Sequence, residues 1–224
     1  MAVNTVSAYA TDLSCWSRFC EDAAQGNLQE LREQDLRAYL RHLGKSDLSS
    51  RTIARRLASL RGLFQFLVDE GILNQNHAKR LKAPHISTKL PEVAESHQLT
   101  QLLATPDTSR LIGLRDRAML SLCYASGLRA SELVALEVND IDWQKGTVSP
   151  WGKGKKRRLV PVGSISLEHL EAYLTARRQS PKACQSKSTC LFCGPRGLAL
   201  SRVSFWKIVK RHCLKAELPL NLKP

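Results

Sequence analysis

Residues 124–161 read YASGLRASELVALEVNDIDWQKGTVSPWGKGKKRRLVP, and the change of period inside this stretch decides the fold class. A helical pattern running from about Leu111 reaches Ala125, Gly127 breaks it, and a second helix opens at about Arg129 with Leu133 and Leu136 on its apolar face. Then the period shortens. Asp140–Trp143, Thr147–Trp151 and Arg158–Val162 are short strand-like runs separated by Gly146 and by Gly152-Lys153-Gly154. The expectation is a small antiparallel sheet of about three strands set among helices.

Two groups in this stretch bear on chemistry. Arg129 falls at a helix start, where unpaired N–H groups and a planar guanidinium suit an anion; the other reading pairs Arg129 with Glu132 to fix the turn. Lys153, Lys155, Lys156, Arg157 and Arg158 crowd five cations onto one glycine-bearing turn, so that turn is either solvated or faces a polyanion. It is not a nucleotide-binding P-loop, because the Gly-x4-Gly-Lys-Ser/Thr spacing is absent and no helix follows directly.

Outward from this stretch the chain reads as helical. Toward the C-terminus, helices are expected at Ser166–Arg178 and Ser201–Ala216; just upstream, one spans Ser96–Leu103. In the first 85 residues, Val6, Tyr9, Leu13, Trp16 and Phe19-Cys20 form one stripe. Asp35 is the expected N-cap of a second helix carrying Leu36, Tyr39, Leu40 and Leu43 up to Gly44. A third begins near Ser49 or Ser50, carries Ile53, Leu57, Leu60, Phe64 and Leu67, and ends near Gly71. Pro84 to Pro91 interrupts every pattern. The predicted organisation is a helical domain over 1–84, a linker over 85–95 and a second domain over 96–224.

The formal net charge is +14 with a pI near 9.8, which points to a polyanionic partner such as DNA, RNA or an acidic surface. No apolar run approaches a bilayer span and no signal peptide is visible, so no membrane association is expected. Seven scattered cysteines suit a reducing, cytoplasmic setting better than a disulfide framework. Cys184, Cys190, Cys193, His212 and Cys213 lack the paired spacing of a zinc knuckle, and no metal site is expected. Two basic faces remain. Arg51, Arg55 and Arg56, near Lys45, lie on the third helix; Lys207, Lys210, Arg211 and Lys215 lie on the last, beside Arg202 and Trp206. Each is either a solvated face or a phosphate-contacting one.

Gly127-Leu128-Arg129-Ala130-Ser131-Glu132-Leu133 followed by Gly152-Lys153-Gly154-Lys155-Lys156-Arg157-Arg158-Leu159-Val160-Pro161 resembles the tyrosine site-specific recombinases, and their Xer branch in particular. The likeness extends through Tyr9 and Asp12-Leu13, through Arg55 to Leu67, which is similar to a DNA-contacting helix, and through Lys89-Leu90-Pro91, similar to an interdomain linker. It implies a mainly helical α+β protein: a SAM-like core-binding bundle and a catalytic-type domain, closing as a clamp on duplex DNA. It implies site-specific cutting and rejoining through a 3′-phosphotyrosyl link, without a metal or other cofactor, by protomers assembled as tetramers, as in chromosome dimer resolution. By the resemblance Arg129 is the first catalytic arginine and Lys153 the catalytic lysine, with DNA contacts at Arg51, Arg55, Arg56, Lys155, Lys156, Arg202 and Lys207.

The family's second arginine, its histidines and its nucleophilic tyrosine have no counterpart in these 224 residues, and none of Tyr9, Tyr39, Tyr124 or Tyr173 lies in the nucleophile's context. The domain is therefore expected to be incomplete at its C-terminus and the chain to bind DNA without cutting it; the alternative is an accessory protein that has discarded catalysis. The first helix also reads as short by part of its length. Pro150 stands where the family's strand usually has a β-branched residue, which predicts an edge strand or a distorted hairpin.

Overall fold

The computed structural model describes residues 3–23, 28–86, 95–152, 154, 156–180, 189–195 and 197–218. The chain divides into two compact units, residues 1–89 and 90–224.

The first unit is built from α1 (Val3–Asp22), α2 (Glu33–Gly44) and α3 (Ser50–Asp69). Its core gathers Trp16 from α1, Leu36, Tyr39 and Leu43 from α2, and Leu57, Leu60, Phe64 and Leu67 from α3. Trp16 is the hinge of this packing, edge-on to Tyr39 at 4.9 Å and to Phe64 at 6.5 Å. Ser49 caps α3 by accepting from the Thr52 N–H at 3.2 Å, as its position before the apolar run dictates. Two expectations are corrected. Asp35 is not the N-cap of α2 but sits three residues in, taking the Arg32 N–H at 2.8 Å. On α1, Val6 and Tyr9 are exposed, and the first turn to bury a side chain does so at Asp12, ahead of Trp16 and Cys20, because Arg55 and Ser59 of α3 supply that carboxylate with partners.

In the second unit α5 (Leu111–Ser126) is the central element, packed along α7 (Ser164–Gln179) and touched by α4 (Ser96–Ala104) and α6 (Ala130–Ala135). The last helix, α8 (Arg202–Lys215), packs on α4 and α6. Met119 and Leu122 of α5, Leu133 of α6, Leu170 of α7, Phe205 of α8 and Phe192 from the loop ahead of it meet in one core. At Gly113 a Cβ would lie 1.8 Å from the Asp107 carbonyl, so only glycine lets α5 start this close to the preceding turn.

The sheet has the order β1 (Ile141–Asp142), β2 (Thr147–Val148), β3 (Val160–Pro161), antiparallel throughout, pairing Ile141 with Val148 and Val148 with Val160. Pro150 therefore lies just past the middle strand, not on an edge. Its missing N–H belongs to the side facing β3, and the ladder opens there. It closes again in the same register: Trp151 pairs with Arg157, and the Gly152 N–H donates to the Lys156 carbonyl at 2.8 Å. The proline interrupts the hairpin without shifting it. Among the described residues no helix is long and apolar enough to cross a membrane.

Candidate functional site

Gly127 ends α5 in the left-handed conformation, φ +56°, which turns the chain sharply before Arg129. Leu128 is buried and anchors the corner; Arg129 follows in extended backbone as the N-cap of α6. Glu132, one turn into α6, bends back. Its Oε2 accepts the Arg129 backbone N–H at 3.0 Å and its Oε1 accepts Arg129 Nη1 at 3.0 Å. The helix start is thus satisfied by the chain's own carboxylate.

Glu132 has a second partner. Arg158, on the returning strand of the hairpin, donates Nη1 to Oε1 and Nη2 to Oε2, both at 2.8 Å. This is the bidentate, fork-to-fork arrangement of a guanidinium on a carboxylate. The Arg158 hydrogen bonds first, then those of Arg129, outweigh desolvation and hold the Glu132 carboxyl at about 2, well below its ordinary 4.5. Glu132 is 5% exposed while Arg129 is 73% exposed, so the acid is enclosed and the Arg129 guanidinium reaches solvent. Two guanidiniums against one carboxylate leave this corner positively charged.

The neighbouring Arg157 faces the other way, as strand alternation requires. It pairs with the buried Asp140, whose other oxygen takes the Glu137 N–H at 2.9 Å, and its guanidinium lies 4.7 Å from the Trp151 ring centre. Of the five cations expected at the hairpin tip, two are therefore anchored in protein carboxylates. Lys156 is exposed; Lys153 and Lys155 lie outside the described residues.

The remaining candidates separate by environment. Arg51 is exposed on α3, whereas Arg55 donates to Asp12 at 2.5 Å and Arg56, only 16% exposed, points its Nε toward the same acid at 3.8 Å. Arg202 and Lys207 are exposed on α8. Arg211, from the same basic stripe, is drawn to Asp116. That acid also accepts from Arg115 Nη2 at 2.7 Å and lies 3.2 Å from His212 Nε2. His212 Nδ1 meets Thr105 Oγ1 at 2.8 Å, so the ring is held by protein groups on both sides. Burial pushes Asp116 up, but the His212 hydrogen bond and Arg115 outweigh it and hold the carboxyl below its usual range. Among the described residues no group of three or more His, Cys, Asp or Glu is arranged to hold a metal ion.

Sequence reasoning missed Arg158, Asp140, Asp116 and Asp12 as organising residues. The only local signal for the first was alternation along a strand, which sends Arg157 and Arg158 to opposite faces.

Residues 92–224 match the model of the phage integrase family, and residues 1–71 match that of the phage integrase N-terminal SAM-like domain. The chain is 36% identical over 222 residues to the tyrosine recombinase XerD of Staphylococcus epidermidis, spanning 99% of this chain and 75% of that protein. It is 33% identical to XerD of Staphylococcus aureus over 225 residues, spanning 76% of it. Among solved structures it is similar to the XerH site-specific recombinase bound to palindromic difH substrate, with TM-score 0.76, 24% identity and coverage of 97% of this chain and 64% of that one. It also resembles a lambda integrase dimer bound to a COC′ core site, with TM-score 0.71, 15% identity and coverage of 98% and 59%. These two structures share its fold.

Proposed function

The chain belongs to the phage integrase family of tyrosine recombinases, and from that premise we propose that residues 1–224 bind duplex DNA and carry the first part of a phosphate-holding site for site-specific strand exchange. The observation that carries this reading is the corner at Arg129. A solvent-reaching guanidinium is fixed at its base by an enclosed carboxylate that is itself saturated. Such a group keeps one Nη1 bond to Glu132 and still has further N–H donors to offer a phosphate.

Lys153 is assigned as the proton donor to the leaving 5′-oxygen. Lys155, Lys156, Arg51, Arg202 and Lys207 are assigned to backbone phosphates, where exposed cations release counterions on binding. Arg55 and Arg56 fit this role less well than Arg51, since Asp12 engages both. The relatives' names, tyrosine recombinase and site-specific recombinase, support strand exchange, and XerH bound to its difH substrate and a lambda integrase dimer bound to its core site support binding to DNA.

These residues are proposed to bind without cutting. Tyr39 and Tyr173 are enclosed by core residues, and burial pushes both phenols up, which suits packing and not attack on phosphorus. Tyr9 and Tyr124 are exposed but lie on the faces of α1 and α5, outside any nucleophile motif.

The test combines two assays on the 224-residue chain. Duplex affinity measured across salt concentrations is expected to fall steeply, with a log–log slope of about −0.9 per phosphate neutralised. A nicked suicide duplex is expected to yield no covalent adduct. Salt-insensitive binding, or preference for structured RNA over duplex, overturns the DNA reading; an adduct overturns the absence of a nucleophile.

A further inference from the structure

Glu132 has room for four hydrogen bonds and has four, two from Arg129 and two from Arg158. The shares are unequal in kind. Arg129 spends its backbone N–H and one terminal nitrogen, while Arg158 spends both terminal nitrogens and covers both oxygens at the shorter distance of 2.8 Å. Arg158 lies 29 residues from Arg129 and 26 from the acid along the chain, so its contact is tertiary. It joins the helix corner to the returning strand of the hairpin.

We infer that Arg158 is a positioning residue for Arg129: by occupying both oxygens of Glu132 it locks the hairpin to the helix corner and keeps the acid from folding the Arg129 guanidinium back onto itself. Remove Arg158 and Glu132 regains two open acceptor sites beside one remaining guanidinium. The corner then changes from two cations and one anion to one of each. Arg129 can satisfy the acid bidentately, and the guanidinium that should meet a phosphate is spent on a carboxylate. Lysine cannot replace Arg158, because a single ammonium cannot span both oxygens in one plane. The second anchor, Arg157 on Asp140, holds the opposite face of the same hairpin and does not touch Glu132. Removal of Arg158 therefore loosens one face and leaves the register at Trp151–Arg157 in place.

This inference rests on the DNA-binding reading only for what Arg129 holds, and its test has one arm that needs no DNA. In that arm the Glu132 carboxyl is titrated by carbon NMR in the whole 224-residue chain. The wild type is expected to titrate at about 2, and Arg158→Lys to move the midpoint upward toward the ordinary glutamate range. An unmoved midpoint overturns the inference. In the second arm, dissociation constants for a random-sequence duplex are measured at one salt concentration. Arg129→Ala and Arg158→Ala are each expected to weaken binding about tenfold, and the double variant by no more than about twofold beyond the weaker single one, because the two act through one group. Arg158→Lys, which keeps the charge, is expected to bind like Arg158→Ala. Multiplicative losses, or a lysine variant that binds like wild type, would show that Arg158 contributes only its own charge. Far-UV circular dichroism monitors folding; if Arg158→Ala fails to fold, Arg158→Lys and Arg158→Gln carry both arms. If the wild-type chain fails to bind duplex, the functional reading fails, and the titration arm still decides the role of Arg158.

Discussion

Asp12 in the first unit and Glu132 in the second are the same device carried to different degrees. Each is an enclosed carboxylate facing two arginines. Glu132 accepts four hydrogen bonds and no acceptor site is left open. Asp12 accepts on one oxygen only, from Arg55 at 2.5 Å and Ser59 at 2.8 Å. Its Oδ1 and the Arg56 Nε face each other at 3.8 Å, too far for a hydrogen bond, and neither has another protein partner among the described residues. The difference teaches what each acid is for. A saturated carboxylate fixes the direction of its arginines, which matters where one guanidinium is proposed to meet a phosphate. A half-satisfied one joins α1 to α3 but tolerates change in its second arginine.

Breaking the saturated site is expected to have the largest effect. Glu132→Gln replaces two acceptor oxygens with one oxygen and an amide that confronts a guanidinium. A loss of about 2 kcal/mol is expected, kept modest because both arginines reach water, and amide exchange of α6 reads it locally. Acid does the same reversibly. The Glu132 carboxyl is held at about 2 against an ordinary 4.5. Its contribution is therefore fully present above about pH 4.5 and is lost as pH falls through about 2, which an acid titration followed by the amide signals of residues 129–135 would record.

Asp12→Asn should cost less, about 1–2 kcal/mol, since only the Arg55 and Ser59 bonds are at stake; exchange at α1 and α3 is the readout. A loss there exceeding that of Glu132→Gln would reverse the ranking. The smallest change is expected at Arg56→Leu. The buried Nε has no hydrogen bond to lose and the aliphatic stem is replaced by apolar volume, so the shift in urea midpoint should correspond to under about 1 kcal/mol in either direction.

The elements of this fold were legible because they are periodic. Gly127, the apolar steps of α3 and the alternation after Asp140 follow local rules, and the helices and strands appeared where those rules put them. The organising acids were not legible. A charged residue inside a helical stripe reads as solvent face, and part of what makes Asp12 or Asp116 tolerable inside is a partner more than 40 residues away, Arg55 for Asp12 and His212 with Arg211 for Asp116. For the same reason the exposed Val6 and Tyr9 were read into a stripe that drifts off the core. At the hairpin, counting cations could not distinguish Arg157 and Arg158, which serve the protein, from Lys156, which faces out. The pair of glycine-bearing motifs pointed to the candidate site, and the carboxylate behind it emerged only from tertiary contacts.

The most direct measurement is a structure of the chain bound to a duplex. The guanidinium of Arg129 and the ammonium of Lys153 are expected within hydrogen-bonding distance of one backbone phosphate, with Glu132 still held between Arg129 and Arg158. Finding those two groups on separate phosphates, or turned away from the nucleic acid, would contradict the account.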